Sequence, residues 1–308
     1  MRPFKLTKEN AGRDKTFPKR PGASLKKSMY KHDYPAAWLL SRPCMLAACL
    51  CLVIMTGCAK PAVDIKAPEM LNATLWQHTS AEYEVAVQQA YRLAQENLDK
   101  ALADKRWNAA LEQQDDTATL PPAILLDLDE TVIDNTEYEI RIIRELGQYS
   151  PESFAQWCES AEAPAITGAA GFLEYAAGRQ VAVFYYSARK EALRACTMRN
   201  LRSLGLPFTD DSHLLLDNGT SKAEYRRMIA SQYRLLLLLG DNLEDFVEGS
   251  RSQSGLRREL AQRYAGRWGR EWIILPNPMY GHWESTTYDF DYRLPRDQQL
   301  QRKQEALQ

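Results

Sequence analysis

Between residues 121 and 277 the chain alternates between short, continuous apolar runs and longer amphipathic stretches. The apolar runs are "AILLDLD" (123–129), "QVAVFYYS" (180–187), "HLLLD" (213–217), "YRLLLLLGD" (233–241) and "EWIILPN" (271–277). Each is too short for a buried helix, rich in β-branched, leucine and aromatic residues, and bounded by polar or turn residues, so each predicts a strand covered on both faces. The intervening stretches predict helices at about 190–204, from about Ser221, and at about 254–267. Strands buried on both faces with helical crossovers predict an α/β fold, a doubly wound parallel sheet. Residues 132–178 interrupt the alternation and read as a helical cap insert. Upstream, Thr79 and Glu82 have capping-box spacing and open a helix, with Val85, Ala86, Ala90, Leu93, Ala94 and Leu98 at helical intervals. This gives a main domain over 79–295, with cap elements at about 79–105 and 132–178, and a polar tail at 296–308 that is expected to fray.

The N-terminus reads differently. "CMLAACLCLVIM" (Cys44 to Met55) is an apolar run of 12 residues, short of the roughly 20 that span a bilayer and suited to the core of an export signal. Lys26, Lys27, Lys31 and Arg42 precede it, and "MTGC" follows it. Small residues running directly into Cys58 resemble a bacterial lipobox, in which the cysteine is acylated and becomes the mature N-terminus. Residues 1–57 are then a signal peptide, with translation starting at Met29 if the leader is of ordinary length, and 58–78 a tether between lipid and domain. Ala59 in place of Asp after the cysteine implies, by similarity to Gram-negative lipoproteins, the outer membrane.

Charge supports processing and narrows the partners. The whole chain has 39 Lys+Arg and 40 Asp+Glu; residues 1–57 hold 11 and 3 of these, leaving 28 and 37 and a net charge of −9 beyond them. An acidic mature protein lacks the clustered positive face that a nucleic-acid polymer requires. Of six cysteines, Cys158 and Cys196 remain besides Cys58 after cleavage. A disulfide between them and two separate thiols are both compatible with the sequence in an oxidising compartment.

The chemistry gathers at strand ends. In an open parallel sheet, ligands bind beyond the carboxyl ends of the strands. There this chain places Asp127 and Asp129 after the first strand, Ser187 after the second, Lys222 at the helix start after the third, and Asp241 and Asp245 after the fourth. Carboxylates crowded on one rim repel one another unless a cation sits among them, and oxygen donors without His or Cys suit Mg²⁺. A lysine and a hydroxyl beside them suit a phosphoryl group.

"DLDET", "YYSAR", "SK" and "GDNLEDF", in that order, resemble the four motifs of the haloacid dehalogenase (HAD) superfamily. With the lipobox and "LPNPMYGHWE" (275–284), the chain resembles the class C, or bacterial lipoprotein, acid phosphatases, also called lipoprotein 5′-nucleotidases, over about residues 75–295. The resemblance implies a Mg²⁺-dependent hydrolysis of phosphomonoesters, nucleoside 5′-monophosphates included, through an aspartyl-phosphate. Asp127 is the implied nucleophile and Asp129 the general acid and base, which must carry a proton at the outset. Asp127, the backbone carbonyl of Asp129 and Asp241 are the implied Mg²⁺ ligands, oriented by Asp245. Ser187 and Lys222 are the implied phosphoryl contacts, and Thr131 supports the loop. Tyr280, Tyr138 and Trp283 are candidates to stack on a nucleobase, Tyr280 foremost. His282 stands where the family leads one to expect an acid. The expected partners are a small phosphomonoester and, through the acyl anchor, a lipid bilayer, with homodimerisation left open. A phosphotransferase on the same fold has the same motifs, and a non-catalytic nucleotide-binding envelope lipoprotein is a further alternative.

Overall fold

The computed structural model describes residues 69–113 and 117–308. The export signal, Cys58 and most of the expected tether therefore lie outside the described residues. Five strands, β1 (Pro122–Asp127), β2 (Ala182–Lys190), β3 (Leu214–Asp217), β4 (Arg234–Gly240) and β5 (Trp272–Ile274), form one sheet in the order β3-β2-β1-β4-β5. Every neighbouring pair is parallel. The doubly wound α/β sheet expected from the apolar runs is what forms.

The central strand explains the pattern. Ala123 to Leu126 are fully buried, and alternate residues feed different cores. Ile124 and Leu126 join Val183, Tyr185, Leu237 and Leu239 on one face. Ala123 and Leu125 join Phe184, Tyr186, Leu235, Leu238 and Trp272 on the other. Since both faces are covered, no position on the strand calls for a polar residue, hence a run without alternation.

The helices are α1 (Leu71–Thr79), α2 (Ala81–Ala103), α3 (Thr136–Arg141), α4 (Pro151–Ser160), α5 (Ala169–Gly178), α6 (Arg194–Ser203), α7 (Lys222–Ala230), α8 (Ser254–Arg263), α9 (His282–Ser285) and α10 (Arg296–Glu305). Three differ from expectation. Leu71–Thr79, which covers the last residues of the expected 58–78 tether, is helical, and the next helix is capped by Ser80, whose hydroxyl accepts from the Tyr83 amide at 3.1 Å, rather than by Thr79. The buried stripe of α2 runs through Tyr83, Val87, Tyr91, Ala94, Leu98 and Ala101, while Val85 faces solvent. Tyr91 adds buried ring area to this stripe while its hydroxyl donates to the Thr131 carbonyl at 2.5 Å. The tail does not fray in the structure. It forms α10, whose Lys303 reaches both Glu69 and Glu284 and whose Arg296 donates to the Gly147 carbonyl.

Of the expected cap elements, α2 and α5 pack on the sheet, with Leu98, Phe172, Leu173 and Ala176 in the same core as Ile124 and Leu126. Only α3, the π-helical turn Ile142–Leu146 that continues it, and α4 stand as an insert between β1 and α5. Cys158 and Cys196, left open by the sequence, are joined as a disulfide that ties α4 to α6.

Leu238 sits on β4 beside the central strand and is fully buried. Leu238→Ala should lower the unfolding free energy by about 2–5 kcal/mol, as deep leucine truncations do. A urea titration showing less than about 1 kcal/mol would contradict the described core.

Candidate active site

Reversal of strand order falls between β1 and β4: the chain winds outward through β2 and β3, then returns to lay β4 against the other edge of β1. A crevice opens at the carboxyl ends of such a pair. Leu126 is in register with Leu239, so Asp127 and Asp241 emerge side by side at that crevice.

The loop after β1 is tightly wound. The amides of Val132 and Ile133 both donate to the Leu128 carbonyl at 2.8 Å, and the Glu130 amide donates to the Ile133 carbonyl at 2.8 Å. Closing this turn places Glu130 at φ 57°, in the left-handed region, which strains a residue with a Cβ by about 1–3 kcal/mol. The buried Glu130 carboxylate receives the Asn135 amide at 2.8 Å, which helps to hold the turn. Burial pushes the Glu130 carboxyl well above its usual range, and the neighbouring Asp129 charge adds to this.

After β4, Asp245 folds back beneath the strand end. Its Oδ2 accepts the Asn242 amide at 2.9 Å, and its own amide donates to the Asn242 carbonyl at 3.0 Å. This requires Gly240: a Cβ there would lie 2.5 Å from Cβ of Asp245. One carboxylate oxygen from each of Asp127, Asp241 and Asp245 falls within 4.8 Å of the others. Lys222, on the first turn of α7, donates at 2.5 Å to Oδ1 of Asp127 and at 2.5 Å to Oδ1 of Asp245. The Ser221 hydroxyl and Glu224 carboxylate cap that helix reciprocally and fix where the lysine departs. Tyr186 lies under the ammonium, its ring centroid 4.8 Å away.

Three carboxylates and one ammonium leave the group with a formal charge of −2. Burial drives the Asp127 carboxyl well above its usual range against the opposing pull of Lys222, and burial together with Asp245 raises that of Asp241 to about 7. Excess negative charge at hard oxygen donors fits a divalent cation such as Mg²⁺ or Ca²⁺.

Asp129 points elsewhere. Arg189 grips it from Nη2 at 2.7 Å and from Nε at 3.0 and 3.2 Å, Ser187 Oγ donates to it at 3.0 Å, and Asn135 Nδ2 donates at 2.8 Å. Burial alone would raise its carboxyl, but Arg189 and these donors outweigh that and hold it below its usual range. The starting proton that the resemblance implied for Asp129 is therefore not what this arrangement favours. Arg189 went unassigned although it lies within the quoted "YYSAR", because β2 was expected to end at Ser187 and instead runs to Lys190. Asn135 and Asn277 were also missed. Asn277 Nδ2 donates to Asp241 at 2.8 Å, and its Oδ1 accepts the amides of Met279 at 2.9 Å and Tyr280 at 3.3 Å.

The aromatic candidates separate. Tyr138 is 1% exposed, stacked on Trp157, met edge-on by Phe154, and bonded through its hydroxyl to Ser153 at 2.7 Å. It belongs to the insert's core and presents no face to a nucleobase. Tyr280 is half-buried on the turn that Asn277 ties to Asp241, and Trp283 is exposed, donating from Nε1 to the Tyr280 carbonyl at 3.1 Å.

A model of the HAD superfamily, subfamily IIIB (acid phosphatase), matches residues 59–283. The chain belongs to this family. Among solved structures it is similar to the class C acid phosphatase from Bacillus anthracis, at 31% identity and a TM-score of 0.72 over 79% of this chain and 98% of that one. The same Bacillus anthracis enzyme with tungstate bound matches at 30% identity and a TM-score of 0.71, with the same coverage. Class C membership, expected from the motifs, is thereby established. Acid phosphatase 1 of Solanum lycopersicum is 27% identical over 165 residues, which span 51% of this chain and 57% of that protein.

His282, where the family resemblance led to an acid, lies with Nδ1 3.4 Å from Glu244. Burial, with Arg257 and Arg251 adding, lowers its pKa from 6.5 to about 4. Glu139, buried on α3, shifts the other way, from 4.5 to about 7, through burial and Glu284. Unfolded, His282 takes up a proton as pH falls through 6.5; folded, it resists until about 4, so acidification through that window destabilises the fold. Glu139 contributes stability fully present below 4.5 and lost as pH rises through about 7. Relative to wild type, His282→Asn should lose less melting temperature between pH 6.5 and 4.5, and Glu139→Gln should lose more, each by at least about 3 °C. Thermal melts at the two pH values in the opposite order would refute both assignments.

Proposed function

We propose that this chain is a Mg²⁺-dependent phosphomonoesterase that transfers the phosphoryl group to Asp127 and then to water. The observation that carries the reading is the pairing of Asp127 with Lys222 at the β1/β4 crevice, beside Asp241 and Asp245, in a chain of the acid phosphatase family. Lys222 occupies one oxygen of Asp127, leaving the second to bond to phosphorus. Asp127, Asp241 and the Asp129 carbonyl would hold Mg²⁺, with Asp245 steering Asp127 through the lysine they share. Bound there, Mg²⁺ would offset charge on the phosphoryl oxygens.

A phosphomonoester dianion beside Asp129 opposes Arg189 and raises the affinity of Asp129 for a proton, which it takes from solvent at mildly acid pH. In the first step the Asp127 oxygen attacks phosphorus, the phosphorus–oxygen bond to the alcohol breaks, and the leaving oxygen takes that proton from Asp129. In the second step Asp129, again a carboxylate, accepts a proton from the attacking water while the bond from Asp127 to phosphorus breaks. Lys222 and the Ser187 hydroxyl stabilise the phosphoryl oxygens as charge shifts. The bound tungstate, an oxyanion, in the Bacillus anthracis relative supports an oxyanion site in this family.

Nucleoside 5′-monophosphates are the proposed substrate class. Tyr280 and Trp283 support it, since Tyr280 stands on the turn bonded to Asp241, Trp283 follows on α9 and bonds to the Tyr280 carbonyl, and both offer aromatic surface to a base. With Mg²⁺ at mildly acid pH, the purified protein should release phosphate from p-nitrophenyl phosphate and AMP. EDTA and Asp127→Asn should each abolish release, and Lys222→Ala should reduce it by about 10²–10³. Absence of turnover in folded, Mg²⁺-supplied protein would sink the phosphatase reading.

We further propose an outer-membrane lipoprotein acylated at Cys58, supported by the apolar run ending in "MTGC". Among the described residues no helix is long and apolar enough to cross a membrane, so a lipid anchor would be the attachment there. Cys58→Ser should move the protein from the membrane pellet to the soluble fraction; retention in the pellet would refute the anchor.

A further inference from the structure

Behind Asp129 lies a set of side chains that the proposed reaction does not itself use. Besides Ser187, two residues hold the carboxylate: Arg189, 5% exposed, through three hydrogen bonds, and Asn135, 1% exposed, through one. Each is gripped in turn. Arg189 Nη1 donates to Thr197 Oγ1 at 3.2 Å, and Asn135 Oδ1 accepts from Trp157 Nε1 at 2.9 Å. Thr197 follows Cys196 on α6, and Trp157 precedes Cys158 on α4. Those cysteines are bonded to each other, with Cα atoms 5.5 Å apart. Arg189 Nη1 also lies 3.7 Å from Cys158 Sγ. A single covalent link thus sits one residue away from both grips on the holders of Asp129.

We infer that Arg189 and Asn135 are positioning residues for Asp129, and that the Cys158–Cys196 bond keeps them aimed by fixing the spacing of Trp157 and Thr197. The inference rests on the role proposed above for Asp129. A guanidinium fork holds a carboxylate in one plane only while its own nitrogens stay fixed. Helix α4 belongs to the insert and α6 to the sheet layer, so their separation is what the disulfide constrains. Misplacement of a reacting group by about 1 Å slows a reaction on the order of 10²-fold. A disulfide present only for stability would act on the unfolded chain and leave Asp129 indifferent to it.

Coupling separates the two. Four full-length proteins are compared with p-nitrophenyl phosphate and Mg²⁺: wild type, R189K, C158A/C196A and the triple variant. We expect R189K to lose roughly 10- to 100-fold in kcat and C158A/C196A about tenfold, each with KM within about twofold of wild type. The triple variant should lose clearly less than the product of the two losses, because part of the disulfide's effect acts through the grip already lost in R189K. Multiplicative losses in the triple variant, or wild-type kcat in C158A/C196A, would overturn the inference. Should C158A/C196A not fold, Thr197→Val and Trp157→Phe each remove one link with the disulfide intact. Both should lower kcat at unchanged KM, and wild-type kcat in both would overturn the inference equally. A wild-type protein without turnover would instead defeat the phosphatase reading, so the two failures are distinguishable.

Discussion

Buried negative charge at the junction of β1 and β4 is the constraint around which this molecule is arranged. Carboxylates 4–5 Å apart repel by roughly 3–4 kcal/mol per pair at an effective dielectric of about 20, and Asp127, Asp241 and Asp245 are that close. Lys222 offsets part of this by bonding to two of them. The surrounding sequence serves to keep the group together. Gly240 leaves room for Asp245 to fold beneath the strand, Asn242 locks it there, Ser221 and Glu224 fix the root of Lys222, and Tyr186 presents an electron-rich face to the ammonium. None of these would be required by a sheet that merely had to be stable.

Asp127 and Asp129 are two residues apart in one loop and experience opposite environments. Burial, with the neighbouring acids adding, pushes the first toward its neutral form; the second meets a guanidinium and is held charged. A displacement by Asp127 and a proton donation by Asp129 require the reverse of these two states, and on the proposed reading a cation among Asp127, Asp241 and Asp245 and a phosphoryl dianion beside Asp129 would shift each acid toward its role. The strained backbone at Glu130 is what allows the two environments to differ, because the turn it makes sends the chain back on itself immediately after Asp129. The buried Glu130 carboxylate then bonds to Asn135, which also reaches Asp129, so the strained turn and the carboxylate's orientation share a partner.

The sheet was legible because burial on both faces leaves an unbroken apolar run, a local signal. The rim acids and Lys222 were legible because strand ends and helix starts fix where they point. What escaped depended on contacts between distant segments. The stripe of α2 was legible at Ala94 and Leu98 but not at Tyr83 and Tyr91, and only the fold shows the Tyr91 hydroxyl satisfied by Thr131. Helix α10 has no buried residue, and only the position of Glu69 and Glu284 shows why Lys303 holds it. Arg189 was hidden by a strand that continues past its apolar run, and the disulfide by a separation of 38 residues. Tyr138 could not be told from a binding residue by sequence, since a core tyrosine and a stacking tyrosine share one letter.

The turn at 277–280 connects the acidic cluster to whatever the substrate carries beyond its phosphate. Asn277 spends its amide nitrogen on Asp241 and its oxygen on the amides of Met279 and Tyr280. On the proposed reading that Tyr280 faces a nucleobase and Asp241 holds a cation, the two are joined by two hydrogen bonds through Asn277. A cation that settles the charge of Asp241 thereby also sets the acceptor strength felt by Asn277, and with it the firmness of the turn. On that same proposed reading, substrate preference would not be a separate module but would be tied to the electrostatic problem that the strand ends create, so that phosphate recognition and base recognition would tighten together.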